Sequence, residues 1–523
     1  MIRTSLLSAA AAGAAAGYYG FPFFSGSRNA GLLLCLFAAV LIVSFFRVLE
    51  SGKEYLFSDE PPDREPRRAG FRLGDPRRLP QRIGLLALCF SAGFSLGIGA
   101  AASVPQNLSL PLPKEGLRGL RGTLLDDPRS SSGGNGMAYL GLDTIQGAGG
   151  LRASARGKAL VFFPPEHIPA LKEFGRKSLI YVEGRFVAAE GPPLFRASAV
   201  HVVRPAPGLE RFRTGLRLAI AGRFARGGAE SGVNWGGMAL ALLLGIRDDL
   251  DTDLSRSYRD AGSSHVLALS GMHLAVLSSI IAFLFRRLLG LKASVALGAA
   301  FILLYVFLVG PQPSLLRAAV MYLTGALAIF GGFKREPLSL LNLAFLIQIL
   351  LWPESGNSLS FILSYLALWG ILRAGPLFQG LFRGKVPESL LSPLSASLGA
   401  FLATGAVTAA FFGVLRPVGI VAGLLIVPLT TVFMIGSLIW LASGFVLAFA
   451  PGIRLLVLDR PLAGMLSVLY RVLERIVSFA ARAPGLADTG WVPVLLASLL
   501  IFALVWYLER RRRIEAGRLI PRA

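Results

Sequence analysis

The amino-acid sequence predicts a mainly α, polytopic helical transmembrane protein with an inserted extracytoplasmic OB-like β-barrel domain. Apolar runs near 20 residues, the length that crosses a bilayer, recur along the chain. Mean hydropathy is +0.62, with 54% hydrophobic and only 16% charged residues. Arg-rich segments flank several of the runs, which orients them by the excess of basic residues in cytoplasmic loops. Residues 103–210 hold no such run and instead carry short stretches bounded by Gly and Pro, the pattern of strands. A formal net charge of +23 calls for an anionic partner, whether lipid headgroups or nucleic acid, and charge alone does not separate the two.

Residues 1–102 form an N-terminal transmembrane part. An Ala/Gly-rich span at 5–24 is followed directly by a stronger one at 30–49, so the first reads as an uncleaved helix and not as a removed signal. The polar stretch 50–82 carries Arg64, Arg67, Arg68, Arg72, Arg77, Arg78 and Arg82, which makes it a basic cytoplasmic loop. A third span at 83–102 then points outward. Cys35 and Cys89 lie inside apolar segments away from other ligand-type residues, so no disulfide, metal or cofactor is expected.

In the segment 103–210 the strand candidates are 117–125, 138–145, 158–163, 178–187 and 194–203. Five strands in this length suit a small OB-type barrel, a fold that often binds single strands. Arg118, Arg121, Arg152, Arg156 and Lys158 are its basic candidates for nucleic-acid contact, or equally a solvated surface. Tyr139, Phe162, Phe163, Tyr181 and Phe195 serve either as stacking platforms or as core. Residues 211–246 follow as interfacial amphipathic helices: 211–226 alternates basic and apolar residues, and 232–245 is too short to span, with Asn234 and Trp235 suited to a membrane interface.

Residues 247–450 hold the most informative stretch. Asp249, Asp251, Asp253, Ser255, Ser257 and Asp260 fall at calcium-loop spacing, but Leu254 stands where the sharp turn needs Gly, so they read as a solvated cap before a helix. Next comes HVLALSGMHLAV at 265–276, which opens an apolar segment ending in Arg286 and Arg287. Polar groups in such a segment face protein or water, because lipid rejects them. His265 and His273 are eight positions apart, roughly 12 Å along a helix, too far to chelate one metal. Ser270 and Gly271 also suit close helix packing, and the Ser lacks the G-x-S-x-G setting of a nucleophile.

These residues resemble the signature of the competence-protein (ComEC) family, channels that carry single-stranded DNA across the bacterial cytoplasmic membrane. LALLLG at 240–245, Gly262, His265, Ser270, Gly271 and His273 match its pattern, and the family has an OB-like domain where 103–210 stands. Two further elements match: Ser314, Arg317 and Ala318 fit a Ser-x-x-Arg-Ala element. NSLSFILSYLALWGIL at 357–372 fits one running Gly-Phe-Gln-Leu-Ser-Phe, with Ser360 in place of Gly and Ile362 in place of Gln. In GLLIVP at 423–428, Gly423 stands where the family has Asn. The resemblance therefore implies a divergent member in which DNA contacts fall to His265, Ser270, Gly271, His273, Ser314, Arg317 and Ser364.

Further spans are expected at 291–309, 314–332, 337–352, 357–372 and 393–415, with 418–450 broken by Pro428 as one long span or a re-entrant hairpin. Residues 451–523 give a surface helix at 462–481, a last span at 491–508 and a basic cytoplasmic tail at 510–513. About nine to eleven spans result. The metallo-hydrolase motif that many family members carry is not found, and no P-loop is present. The resemblance implies a transport channel and not an enzyme, in the cytoplasmic membrane with both termini inside. It also implies single-stranded DNA as cargo, with a DNA receptor, a cytoplasmic motor and a separate nuclease as partners. A transporter or flippase for a lipid-linked or other anionic substrate is the alternative.

Overall fold

The computed structural model describes residues 2–24, 91–98, 101, 116–130, 134–187, 194–230, 232–269, 271–333, 336–449, 456–487 and 490–518. The expected span at 30–49, the arginine-rich loop at 50–82 and Ser270 lie outside the described residues. In chain order, helix α1 (Ile2–Phe24) precedes strands β1 (Leu117–Leu124), β2 (Arg129–Ser130), β3 (Gly136–Gly147), β4 (Arg152–Ser154) and β5 (Lys158–Phe163). Helix α2 (Ile168–Phe174) leads to β6 (Leu179–Val187) and β7 (Leu194–Arg204). Helices α3 (Gly208–Glu230), α4 (Trp235–Leu244), α5 (Thr252–Asp260), α6 (Ser264–Leu267), α7 (Gly271–Val309) and α8 (Pro313–Phe330) come next. The remainder is α9 (Pro337–Leu351), α10 (Leu359–Arg373), α11 (Gly375–Phe382), α12 (Glu388–Phe412), α13 (Val418–Phe449), α14 (Leu456–Ala480) and α15 (Trp491–Arg518). Among the described residues, six helices are long and apolar enough to cross a membrane. The protein is a multi-pass membrane protein, mainly α with a β domain.

The chain divides into two compact units, one of 1–104, 316–414 and 487–523, the other of 105–315 and 415–486. In the second unit, β1 pairs antiparallel with both β3 and β6, β3 with β5, and β6 with β7, while β5 and β7 run parallel. That circuit closes a five-stranded barrel with the connectivity of the OB type, α2 bridging β5 and β6. Alternation, shifted by a bulge between Leu117 and Gly119, sets its inside: Leu117, Leu120 and Leu124 of β1 point inward with Leu140, Val161, Phe163, Ile180, Val182 and Phe195. The strands fall where the Gly and Pro punctuation puts them, β5 with the same bounds.

Beyond the barrel, α4 is ten residues long and buried throughout, consistent with a segment too short to span. Trp235 is not interfacial. It has no exposed surface and packs edge-on against Phe224 and Trp440, at 6.0 and 5.1 Å between ring centroids. Asn234 caps nothing with its side chain, which donates to the Asp249 carbonyl at 3.0 Å. Nor do the basic residues of α3 form one headgroup-facing stripe, because Arg213 is fully buried.

Asp251 is the N-cap of α5, its carboxylate accepting from the Asp253 and Leu254 amides, so the acidic run is a helix cap as its sequence suggests. Helix α7 is 39 residues long and is interrupted at Gly290, whose φ of 75° is left-handed. At 1.5 Å per residue it would be about 58 Å if straight, twice a hydrocarbon core, so the break divides it into two span-length arms. Helix α13 runs on through Pro428 as one helix, not a hairpin. Helix α14 buries Leu466, Tyr470, Leu473 and Val477, spaced on one face, and exposes Met465, Val468 and Phe479.

In the first unit, small residues let backbones touch. A Cβ on Gly17 would lie 2.0 Å from the Phe94 carbonyl oxygen, and one on Gly93 2.0 Å from that of Ala10. Helices α10 and α12 cross at Gly370 and Gly399, where a Cβ on Gly370 would meet the Gly399 carbonyl oxygen at 2.2 Å. The Ser358 hydroxyl caps α10 by accepting from the Phe361 amide.

Candidate functional site

Two of the residues singled out in the sequence meet directly in the first unit. Arg317, one turn into α8 and 8% exposed, donates through one terminal nitrogen to the backbone carbonyl and the hydroxyl of Ser364 on α10. Its guanidinium also lies 5.7 Å from the centre of the Tyr365 ring. Tyr365 in turn donates its hydroxyl to Gln348 of α9 at 3.0 Å. Gln348 has no exposed surface. Three helices thus share a polar cluster inside an otherwise apolar layer of Phe345, Phe361 and Ile362.

Among the described residues Arg317 forms no ion pair with a carboxylate, and its Nε has no hydrogen-bond acceptor. Buried charge normally acquires an acidic partner. Here a cation is instead held by a hydroxyl, a carbonyl and a ring. Gln348 escaped the sequence reading, although a lone amide in PLSLLNLAFLIQILL is an available signal. Ile362 is buried in the same cluster.

The signature stretch lies in the second unit. It is not one helix: Ala268 is extended, with ψ of 137°, and separates α6 from α7. Helical rise therefore does not set the separation of His265 and His273, because the helix is broken between them. His265 is exposed on α6, and His273 is fully buried near the start of α7, which begins at Gly271. Ser314 is buried at the start of α8. Among the described residues no group of three or more His, Cys, Asp or Glu side chains is placed to hold a metal ion.

Upstream of the signature, a set of ion pairs joins the barrel to the helices. Arg213 has no exposed side-chain surface and donates to both oxygens of Asp127, which lies after β1, at 3.1 and 2.6 Å. Its Nε reaches the Phe307 carbonyl at 2.8 Å. Arg217 donates to the Leu308 and Val309 carbonyls at 2.9 and 3.2 Å, so both arginines cap the C-terminal end of α7, where a cation is favoured. Tyr305 closes the group by donating to the Leu243 carbonyl at 2.7 Å.

Burial pushes the Asp127 carboxyl up, but the Arg213 hydrogen bonds and the Arg217 and Arg213 charges outweigh it and hold it below its ordinary value. Glu210 behaves alike: burial raises it, and Arg176 and Lys177, paired to it at 2.9 and 3.0 Å, bring it lower. Burial lowers Arg217 to about 10, which leaves it charged at neutral pH.

The barrel candidates Arg118, Arg121, Arg152, Arg156 and Lys158 are all exposed. Arg121 stands opposite Tyr181 in the β1–β6 register. Of the aromatics left open by the sequence, Phe163 and Phe195 are core, Tyr139 is 42% exposed, and Tyr181 stacks on His201 at 6.3 Å between centroids.

The model of the family described as Competence protein matches residues 242–512. Two curated relatives are similar. "ComE operon protein 3" of Bacillus subtilis (strain 168) is 31% identical over 173 residues, 31% of this chain and 21% of that protein. An "Uncharacterized protein" of Aquifex aeolicus (strain VF5) is 28% identical over 247 residues, 47% of this chain and 55% of that protein. The matched regions thus span less than two thirds of either relative. No solved structure matches. The family match covers more than half of the sequence and takes in both the signature stretch and the Arg317 cluster, and on that ground the chain belongs to the competence-protein family.

Proposed function

We propose that this protein takes part in DNA uptake as a transmembrane channel, passing single-stranded DNA into the cytoplasm during natural transformation. Family membership supports the process, and one observation supports transport of an anionic polymer. Arg317, on a membrane-spanning helix and more than nine-tenths buried, is held by Ser364 and Tyr365 with no carboxylate paired to it among the described residues. A cation kept uncompensated inside a span is costly unless anions pass it.

On this reading the strand makes transient phosphate contacts in each unit: with Arg317 and Ser364 in one, and with His265, Ser270, Gly271, His273 and Ser314 in the other. The exposed Arg118, Arg121, Arg152, Arg156 and Lys158 of the barrel receive it outside the membrane. The protein sits in the bacterial cytoplasmic membrane with 103–210 outside, 247–450 forming the channel and both termini inside. It acts as a channel and not as an enzyme. The pulling force comes from a cytoplasmic motor, with a surface receptor and a separate nuclease as further partners.

Disrupting the gene should abolish transformation while DNA still binds the cell surface. Retained transformation in the disrupted strain would overturn the proposal. Cysteine labelling at Lys158 in a Cys-free background tests orientation: labelling of intact spheroplasts is expected, and labelling only after the membrane is opened would place the barrel inside.

A further inference from the structure

The seam between the barrel and the signature stretch, wholly within the second unit, carries charge that neither the sequence motifs nor the ion-pair set uses. The Ser130 amide of β2 donates to the Asp248 carboxylate at 2.9 Å, so the residues that precede these two, Arg129 and Arg247, are carried to the same place. Both are exposed. Arg247 donates to the Leu267 carbonyl at 3.4 Å, which ties this place to α6 and therefore to the stretch that begins at His265.

The carboxylates around them are mostly committed elsewhere. Asp248 takes Lys172 at 2.6 Å as well as the Ser130 amide, and Asp126 accepts the Tyr139 amide at 2.8 Å while its charge is also near enough to attract Arg129. Asp127 is held by Arg213 and Glu210 by Arg176 and Lys177. Asp249 is exposed, and neither it nor any other carboxylate of the described residues forms an ion pair with Arg129 or Arg247. Partial burial, and then the like charge of Arg129, hold the Arg247 guanidinium below its ordinary value, as expected where a second cation stands near. Asp126 near Arg129 offsets only part of this charge, Arg247 has no acidic partner among the described residues, and a planar guanidinium offers forked donors that fit phosphate oxygens.

We infer that Arg129 and Arg247 form a phosphodiester-binding site for a single nucleic-acid strand at the seam between the barrel and the α6 stretch. The inference rests on the channel reading and adds to it a station between the barrel surface and the signature. Contact is with the backbone alone, since two arginines on one seam, with no aromatic ring beside them in the described contacts, have nothing with which to read bases. Both residues are exposed, so binding needs no rearrangement of the ion pairs behind them.

The test uses the full chain in phosphatidylcholine nanodiscs, with a fluorescent 20-mer of oligodeoxythymidylate as probe. Arg129→Ala/Arg247→Ala should bind at least about ten-fold more weakly at low salt, and the slope of log affinity against log salt should fall by about 1.4, since each single-strand phosphate contact contributes about 0.7. Arg129→Lys/Arg247→Lys should keep most of the slope, which separates lost charge from lost fold. An unchanged affinity and slope in the double alanine variant overturns the site. So does a variant that keeps its oligonucleotide affinity but no longer retains phosphatidylglycerol from mixed vesicles, which would make the pair a lipid seat. Failure of the channel reading is seen separately, as transformation that survives loss of the gene.

Discussion

Asp127 accepts from both terminal nitrogens of Arg213, and that arginine has no exposed side-chain surface. The pair therefore behaves as a buried one whose partners depend on each other. Removing either leaves the other with one longer contact in low dielectric, Arg213 with Glu210 at 3.6 Å or Asp127 with Arg217 at 3.7 Å, whereas replacing both removes that pair's imbalance and leaves only Arg217 short of a carboxylate.

Asp127→Ala is accordingly expected to destabilise the protein by about 3 kcal/mol. The double variant Asp127→Leu/Arg213→Met should lie closer to wild type than either single change. Denaturant titration in detergent, followed by barrel tryptic protection, measures this. A double variant worse than both singles would contradict the buried-pair account.

Acid should weaken the same junction. Asp127 and Glu210 are held below ordinary values of 3.8 and 4.5, so the stability that they contribute is fully present above those values and is lost as pH falls through the lower folded-state ones. Melting temperature should stay flat from pH 7 to about 5.5 and drop below about 4.5. In Asp127→Ala the acid-side drop should be shallower; an unaltered drop would assign it to other carboxylates.

Arg317→Ala and His265→Ala should each leave membrane levels near wild type while sharply reducing transformation, and Arg317→Lys should recover only part of it. Lys keeps the charge but not the forked donors that reach phosphate. Quantitative blots of membrane fractions accompany the transformation counts. Loss of protein in step with loss of transport would make these residues structural. Gln348→Leu, which removes the acceptor of Tyr365, should lower transport less than Arg317→Ala does.

Helix crossing and family departure can be separated with two glycines. Gly370→Ala places a methyl about where the Gly399 carbonyl oxygen stands, at 2.2 Å, and should reduce accumulation in the membrane. A Cβ on Gly423 meets nothing within 4 Å, so Gly423→Asn should accumulate normally, while it restores the residue type of the family at that place. Poor accumulation of Gly423→Asn would show that the position is not open.

The strands of the barrel were legible because Gly and Pro bracket them, whereas the bulge that turns both Leu117 and Leu120 inward was not. Apolar length likewise marked the spans, and the break at Gly290 falls between the two expected at 265–287 and 291–309. What the sequence hid depends on distant pairing. Arg213 reads as one more basic residue on a basic helix until the chain brings Asp127, 86 positions away, against it. Trp235 looked interfacial for the same reason, since Trp440 is needed to bury it. The helix break at Ala268 was invisible because VLALSGM contains no residue that forbids a helix. The Arg317–Ser364 contact was half legible, in that each residue stood out and nothing in the spacing joined them.

The way the barrel closes also governs when it can be made. Strands β1, β3 and β5 form an antiparallel run that can assemble as soon as it leaves the translation machinery, but its two outer edges stay open. One edge waits for β6 and the other for β7, which joins β5 in parallel and is the last strand of the barrel. Until then two rows of unpaired backbone groups are exposed to any passing strand. Closure therefore depends on long-range pairing, the slow kind, and it coincides with the emergence of α3, which brings Glu210 and Arg213. A chain that has emerged only to just before residue 194 is an open sheet prone to aggregate, whereas one that has emerged a few residues beyond 217 has a sealed barrel with Arg213 already able to reach Asp127, the α7 carbonyls that both arginines cap arriving later.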